Sequence, residues 1–414
     1  MPDSLSSWLE HIERIHPKTI EMGLDRLIEV RRRMGLHPSF SVVTVGGTNG
    51  KGSTCAMLES ILHHSGYKVG CYTSPHLIRF NERMRIGKIE LEDDAITKAF
   101  CDVEAARGEI SLTYFEFSTL AAVKCFIDSG IDIAVLEVGL GGRLDAVNLF
   151  DADCAVITAI DLDHMDYLGE NREAIGFEKA GILRKGKPGV CSDPDLPESV
   201  LNHARNIGAR LLRIGQDFGY RRHADSWDYH GERERKKLPF PGLKGEFQLM
   251  NASTALAALD ALGIPVDDTR IAQGLTDLDL PGRFQVLGRA IVDVAHNPQA
   301  ARMLAMNLEA MPSARTVAIF GMLCDKDIEG VVRELKGKMD EWLIVKLDVP
   351  RGADTARLGI AFEREGVEGF RAFCSVSAAW DHACATSGEN DRIVVFGSFY
   401  TVADFMRLIP PRRD

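Results

Sequence analysis

From Val45 to Thr54 the chain reads Val-Gly-Gly-Thr-Asn-Gly-Lys-Gly-Ser-Thr, four glycines around one lysine and a closing pair of hydroxyls. Glycine lets the backbone curl until several N–H groups face one anion, and a helix starting behind the curl adds the positive end of its dipole. Gly47, Thr48, Asn49, Gly50, Lys51, Gly52 and Ser53 thus make a phosphate-binding loop. Lys51 supplies the point charge for the β- and γ-phosphates of ATP, and Ser53 or Thr54 can reach a metal. The spacing departs from the strict G-x-x-x-x-G-K-[ST] pattern. Gly52 separates Lys51 from Ser53, and Gly46 stands one residue too close to Gly50. The plain alternative is a glycine-rich turn that binds nothing. A β-branched strand before the loop, the lysine, and the Ser-Thr after it argue against that.

The elements that must position this loop alternate. Strands are expected at 41–45, 68–73, 132–138, 153–159, 188–191 and 210–214, and helices at 51–65, 93–107, 116–129, 171–184 and 197–207. A helix over 4–35 precedes them. Residues 215–245, rich in charge, predict a solvated irregular or hairpin insertion, followed by a helix at 247–262. Leu280-Pro281-Gly282-Arg283 suits a domain joint. After it the alternation resumes, with strands at 290–295, 316–320, 342–347, 370–373 and 392–396 and helices at 298–311, 327–337, 355–365, 377–386 and 401–408. Such alternation implies mostly parallel sheets flanked by helices. The expected fold is α/β in two domains: residues 1–282, nucleotide-binding, with a P-loop-type sheet, and residues 283–414, smaller and Rossmann-like.

Composition excludes some partners. Net charge is −11, from 60 acidic and 49 basic residues, which disfavours nucleic acid and anionic membrane surfaces. No stretch approaches the roughly 18 apolar residues of a membrane span, and Met1–Ile15 lacks the apolar core of a signal peptide. Nine scattered cysteines without a Cys-x-x-Cys pair read as free buried thiols of a cytoplasmic protein.

Other residues fall where ligands gather, at the carboxyl ends of strands. Ser74 ends one strand, Glu137 interrupts the apolar Ala-Val-Leu-Glu-Val, and His164 follows another. A buried carboxylate is costly unless a cation meets it. For Glu137 that cation is either a metal or an arginine such as Arg143; His164 alone also reads as a helix cap or surface residue. Lys179, by its helix pattern, is a solvated lysine. Asn251 lies in an apolar helix, as a nucleotide contact or a satisfied core amide. Phe115 could pack in the core or stack on a planar ligand. In the second half Arg283, Asp293 and His296 sit by the joint and the first strand, and Asp325, Lys326, Asp327, Arg351 and Ser398 follow later strands.

The loop Gly47–Ser53 resembles that of the Mur ligase superfamily. Tyr72-Thr-Ser-Pro-His-Leu77, Leu136-Glu-Val-Gly-Leu-Gly-Gly-Arg-Leu-Asp145, Asp161-Leu-Asp-His164, Glu178-Lys-Ala-Gly-Ile182, Pro281-Gly-Arg-Phe284, Asp293-Val-Ala-His-Asn-Pro298 and Gly321-Met-Leu323 narrow the likeness. They point to the folylpolyglutamate synthases and the bacterial bifunctional dihydrofolate synthase/folylpolyglutamate synthases. The segment His16-Pro-Lys-Thr-Ile-Glu-Met-Gly-Leu24 resembles the same family's N-terminal stretch, which borders the pterin pocket.

That resemblance implies an ATP-dependent ligase joining L-glutamate to dihydropteroate and to reduced folates through an acyl phosphate, in a dry cleft between two domains. A folylpolyglutamate synthase without the first activity is the alternative. Site roles follow from the likeness: Mg²⁺ on Ser74, Glu137 and His164; a carbamylated Lys179; ATP contacts from Asn251, Arg283 and Asp293; a pterin pocket from Phe115, Asp145 and Ala146; and His296 near the γ-phosphate as candidate base. A monovalent cation and a monomeric state also follow. The rivals fit less well. A switch GTPase lacks its Asn/Thr-Lys-x-Asp reader, a small-molecule kinase has little need of a second domain, and a non-catalytic module leaves the Ser-Glu-His set unused.

Overall fold

The computed structural model describes residues 2–18 and 20–409. They form two compact units. One holds the chain up to Gly242 together with Gln248–Leu278; the other holds Leu243–Phe247 and the chain from Asp279 onward. The division therefore falls four residues before the joint expected at 282/283, and the short segment before the helix at 247 joins the second unit.

The first unit opens with two helices, α1 (Leu5–Ile15) and α2 (Asp25–Met34), where one was expected. Pro17 explains the break, because its ring drives the residue before it out of helical conformation, and His16 is extended. Gly35 ends α2 in the left-handed region, its N–H bonded to the carbonyls of Arg31 and Arg32. Of the expected N-terminal segment 16–24, Thr19 lies outside the described residues.

The sheet follows from β-branched runs that bury on both faces. Its strands are β1 (Ser41–Gly46), β2 (Val69–Tyr72), β3 (Met84–Ile86), β4 (Ile89–Glu90), β5 (Ile133–Glu137), β6 (Cys154–Ile157), β7 (Pro188–Cys191) and β8 (Arg210–Arg213). The order is β4-β3-β2-β5-β1-β6-β7-β8. From β2 to β8 the neighbours run parallel, while β3 and β4 add an antiparallel edge. Around it lie α3 (Lys51–His64), α4 (Asp93–Arg107), α5 (Tyr114–Ser129), the single turn α6 (Met165–Leu168), α7 (Arg172–Ala180) and α8 (Glu198–Ile207). From β1 the chain moves to β2 on one side, and after β5 it crosses to β6 on the other. The order thus reverses at β1, and the loops after β1, β5 and β6 share one edge of the sheet. That edge is where such sheets bind ligands.

Residues 215–245 form a three-stranded antiparallel sheet of β9 (Gly219–Arg222), β10 (Trp227–His230) and β11 (Arg235–Leu238). The expectation of a solvated insertion holds for only one face. Trp227 and Tyr229 alternate inward and are fully buried, as a period of two requires. Helices α9 (Phe247–Ala261) and α10 (Asp268–Thr276) complete the unit. Arg235 reaches α9, where both its terminal nitrogens bond Asp260 at 2.6 and 2.9 Å, with both side chains buried.

In the second unit, β12 (Gln285–Leu287), β13 (Ala290–Asp293), β14 (Thr316–Phe320), β15 (Glu341–Val345), β16 (Arg371–Phe373) and β17 (Arg392–Phe396) are ordered β12-β13-β17-β14-β15-β16. All run parallel except β12. Helices α11 (Pro298–Glu309), α12 (Ile328–Leu335), α13 (Thr355–Arg364), α14 (Val376–Thr386) and α15 (Phe399–Leu408) flank the sheet. Phe320, Trp342, Phe362 and Phe396 centre the core, the closest pair meeting edge to face at 4.9 Å. Both units are thus the mostly parallel α/β kind expected.

Asp260→Ala leaves Arg235 charged and buried without its bidentate partner, Asp268 remaining 3.5 Å from its Nε, a loss of about 3 kcal/mol. Thermal melting should begin well below that of the unaltered chain, whereas Arg221→Ala, exposed on the same small sheet, should change stability by less than about 0.5 kcal/mol.

Candidate active site

The loop after β1 is fixed to the segment after β6. The N–H of Thr48 donates to the Ala159 carbonyl at 2.6 Å, and its hydroxyl exchanges bonds with the backbone of Asp161. Gly47 has φ +142°, and a Cβ there would meet the Thr158 hydroxyl at 1.8 Å. Gly50 turns the chain into α3 at φ +90°, and a Cβ there would meet Asn251 Oδ1 at 2.7 Å. No side chain caps α3, so its first N–H groups point into the curl, the arrangement an anion completes. Lys51 folds back, its Nζ donating to the carbonyls of Gly47 and Thr48 at 3.0 and 3.2 Å. Asn251 donates to Gln248 at 2.9 Å, and Gln248 lies 3.5 Å from the buried Ser53 hydroxyl. Asn251 is therefore both a satisfied amide and a wall of the loop. Gln248 escaped the sequence reading, although it stands one helical turn before Asn251.

Glu137 ends β5, buried, and accepts the N–H of Ser74 at 3.0 Å. Arg143, the arginine considered for an ion pair with Glu137, is committed to Glu178 at 2.8 Å. His164 stands after β6 with φ +52°, its N–H donated to Asp163. A non-glycine residue held left-handed is a recurring mark of functional turns. Among the described residues no three His, Cys, Asp or Glu side chains form a preformed metal cage. A few oxygen donors beside a phosphate loop are what Mg²⁺ uses, since it keeps waters and phosphate oxygens as its remaining ligands. The donor set fits that ion.

Lys179 departs from the solvated lysine that its helix pattern predicts: it is only 3% exposed. Burial, reinforced by the Lys51 charge and opposed by Asp163 and Asp145, draws its pKa down to about 7. Two glycines bring it there. A Cβ on Gly142 would meet the Glu178 carbonyl at 2.9 Å, and one on Gly181 would meet Arg143 Cβ at 2.3 Å. The loop after β5 therefore packs directly on the end of α7. Asp145 in that loop is buried, which pushes its carboxyl up to about 7 against the N–H groups of Leu140 and Val147, at 2.8 and 3.0 Å, and the Lys51 charge. Phe115 is half-buried, 5.8 Å from the Tyr72 ring and so close over Gly139 that a Cβ there would meet it at 2.7 Å. One ring face is packed, so core packing accounts for only part of Phe115. Ala146 is buried beside Asp145.

In the second unit Arg283 lies over the Phe399 ring at 5.2 Å, and His296 lies 6.2 Å from the same ring. Asp293 accepts the N–H groups of Phe284 and Ala295 at 2.9 and 2.8 Å. Burial raises its pKa, opposed first by Arg283. Phe284 is held at φ +46°, so Asp293 fixes the strained turn that presents Arg283. His296 Nδ1 lies 2.8 Å from the Val294 carbonyl, which can only accept. Nδ1 therefore carries the hydrogen, and Nε2 is the basic nitrogen of the neutral ring. Phe399 was missed in the sequence because nothing at its position distinguishes it from core. Asp327 and Ser398 cap α12 and α15, and Arg351 pairs with Asp325 at 2.9 Å. Lys326 donates its N–H to the Leu323 carbonyl at 3.3 Å and accepts that of Ile328 at 2.9 Å, at the turn into α12.

Residues 45–259 match the Mur ligase middle domain and residues 282–399 the Mur ligase glutamate ligase domain. The chain belongs to the Mur ligase family. Within that family it is 46% identical to the dihydrofolate synthase/folylpolyglutamate synthase of Escherichia coli K12, over 99% of this chain and 96% of that one. E. coli FolC in complex with DHPP and ADP superposes with a TM-score of 0.95 at 46% identity, covering all of both chains. A bifunctional folylpolyglutamate synthase/dihydrofolate synthase with Mn, AMPPNP and L-glutamate bound gives 0.92 at 44% identity, covering 98% of each.

Gly47→Ala forces a methyl into Thr158 in a conformation that L side chains avoid. ATP affinity measured by calorimetry should fall by roughly tenfold or more, with the circular dichroism spectrum unchanged.

Proposed function

We propose that the protein is an ATP-dependent ligase that adds L-glutamate to dihydropteroate, giving dihydrofolate, and to reduced folates, giving folylpolyglutamates. The observation that carries this reading is that a phosphate loop, the Ser74–Glu137 pair and the loop after β5 that carries Asp145 under Phe115 all lie at one edge of one sheet, in a chain of this family.

A carboxylate is a poor acyl donor because its leaving group would be oxide. The acceptor's carboxylate oxygen therefore attacks the γ-phosphorus of ATP, forming an acyl phosphate and releasing ADP. Lys51 and the N–H groups of Gly47–Ser53 hold the phosphates and meet the charge that spreads over the transferred group. Ser74, Glu137 and His164 would hold Mg²⁺, which would supply neutralisation of phosphate charge when bound. Asn251 walls the nucleotide loop, while Arg283, steadied through Asp293, reaches the phosphates with its planar fork. His296 Nε2 takes the proton from the α-ammonium of glutamate. The free amine then attacks the acyl carbon, and the tetrahedral intermediate expels phosphate. Phe115 stacks on the pterin, Asp145 accepts its N–H groups, and Ala146 closes that recess.

Lys179 suits carbamylation. An amine held near neutrality attacks CO₂, loses a proton and becomes an anion, turning a cation into a partner for the metal. No residue is assigned to a monovalent cation. The reading places a monomeric enzyme in the cytoplasm, supported by the free state of all nine cysteines. Not all of them are buried, since Cys374 is exposed. No helix among the described residues is long and apolar enough to cross a membrane.

Purified protein should release ADP and phosphate only when a pteroate-type acid and glutamate are both present, and not after Lys51→Ala or removal of Mg²⁺ by chelation. Hydrolysis indifferent to either substrate would sink the ligase reading. Failure to restore growth to cells lacking dihydrofolate synthase, despite turnover on tetrahydrofolate, would reduce it to the folylpolyglutamate activity alone. Lys179→Ala should slow turnover by about 10²-fold or more, with partial rescue by added short-chain carboxylates. Absence of one bound CO₂ in the native mass would refute the carbamate.

A further inference from the structure

Arginines of the first unit mostly end on acids. Arg26 takes Glu21 and Glu116, Arg85 takes Glu59, and Arg143 takes Glu178. Arg83 is an exception. It is half-buried and packed over the rings of Tyr114 at 5.3 Å and Phe80 at 5.7 Å, yet no described residue places a carboxylate on it. The nearest acid in sequence, Glu82, is spent on the N–H groups of Leu77, Ile78 and Arg79, at 2.6, 2.7 and 2.6 Å. What holds Arg83 is a neutral acceptor. Its Nε donates to His76 Nδ1 at 2.8 Å, so that ring nitrogen carries no hydrogen. The two terminal nitrogens are left with four hydrogens directed at no protein acceptor. A planar donor fixed by stacking and by one bond, with its outer fork unspent, is the form that grips a carboxylate.

Its place in the fold says which carboxylate. The Arg83 carbonyl accepts the N–H of Thr73 at 2.9 Å, one residue before Ser74. Tyr114 precedes Phe115 on α5, and the Tyr72 ring lies 5.8 Å from Phe115. Arg83 is thus tied through its backbone to the residue before Ser74 and through its side chain to the residue before Phe115. Dihydropteroate brings one carboxylate, which must react. A reduced folate brings two, the reacting γ-carboxylate and an α-carboxylate a few bonds behind it.

We infer that Arg83, held by His76 and stacked on Tyr114, binds the α-carboxylate of the folate's glutamyl tail and so favours the polyglutamylating reaction over dihydrofolate synthesis. This rests on the ligase reading above. The test compares KM for tetrahydrofolate monoglutamate, for its α-carboxamide analogue and for dihydropteroate, in the full chain and in Arg83→Met and Arg83→Lys, at saturating ATP, Mg²⁺ and glutamate. In the full chain the carboxamide should bind roughly tenfold worse than the carboxylate. Arg83→Met should erase that difference and shift the ratio of the tetrahydrofolate KM to the dihydropteroate KM by a similar factor, with Arg83→Lys restoring part of it. An equal loss on all three acceptors, or a carboxamide penalty that survives Arg83→Met, would overturn the inference. A full chain that turns over none of the acceptors would instead condemn the ligase reading.

Discussion

The first unit depends on a bridge between two neighbouring strand ends. A phosphate loop must hold its N–H groups away from its own strand, and by itself a glycine-rich turn has too many conformations to do so. Thr48 resolves this by donating to the carbonyls of Ala159 and Asp161, while Thr158 leaves room only for hydrogen at position 47. The curl is thus braced by the segment that also carries Asp163 and His164. Where nucleotide phosphates sit and where a cation can sit are set by one short set of contacts.

The second constraint is close approach without side chains. Gly142 and Gly181 let a loop lie directly against a helix end, and that contact buries an amine and a carboxyl together. Separately each group would be driven towards neutrality by desolvation. For Lys179 the Lys51 charge adds to that drive while Asp163 and Asp145 oppose it; for Asp145 the N–H groups of its own loop and the Lys51 charge oppose it. Burial is thus the largest influence on both groups, and the neighbouring charges of Lys51, Asp145 and Asp163 adjust it.

Much of this architecture was legible in the sequence because parallel strands are short, β-branched and punctuated by helices. The exceptions have physical causes. A single proline split the first helix. The weak edge strands β3 and β4 are too short to show a period. The charged insertion hid Trp227 and Tyr229, whose alternation spans only four residues, too few to stand out among charged neighbours. The phosphate loop was legible because its chemistry is local. Lys179 was not, since its burial depends on the loop at Gly142, distant in sequence, lying against the end of its own helix at Gly181, and helical periodicity carries no trace of that contact. Gln248 and Phe399 likewise acquire meaning only through what they touch.

Lysine is usually the looser of the two basic side chains, a point charge on a four-carbon tether. At position 51 two of its three hydrogens are already anchored by carbonyls of the same turn. The third consequently has a set direction before any nucleotide arrives. Much of the entropy that capture would otherwise cost has been surrendered during folding, and an ordinarily mobile ammonium meets its phosphate as a rigid, aimed donor.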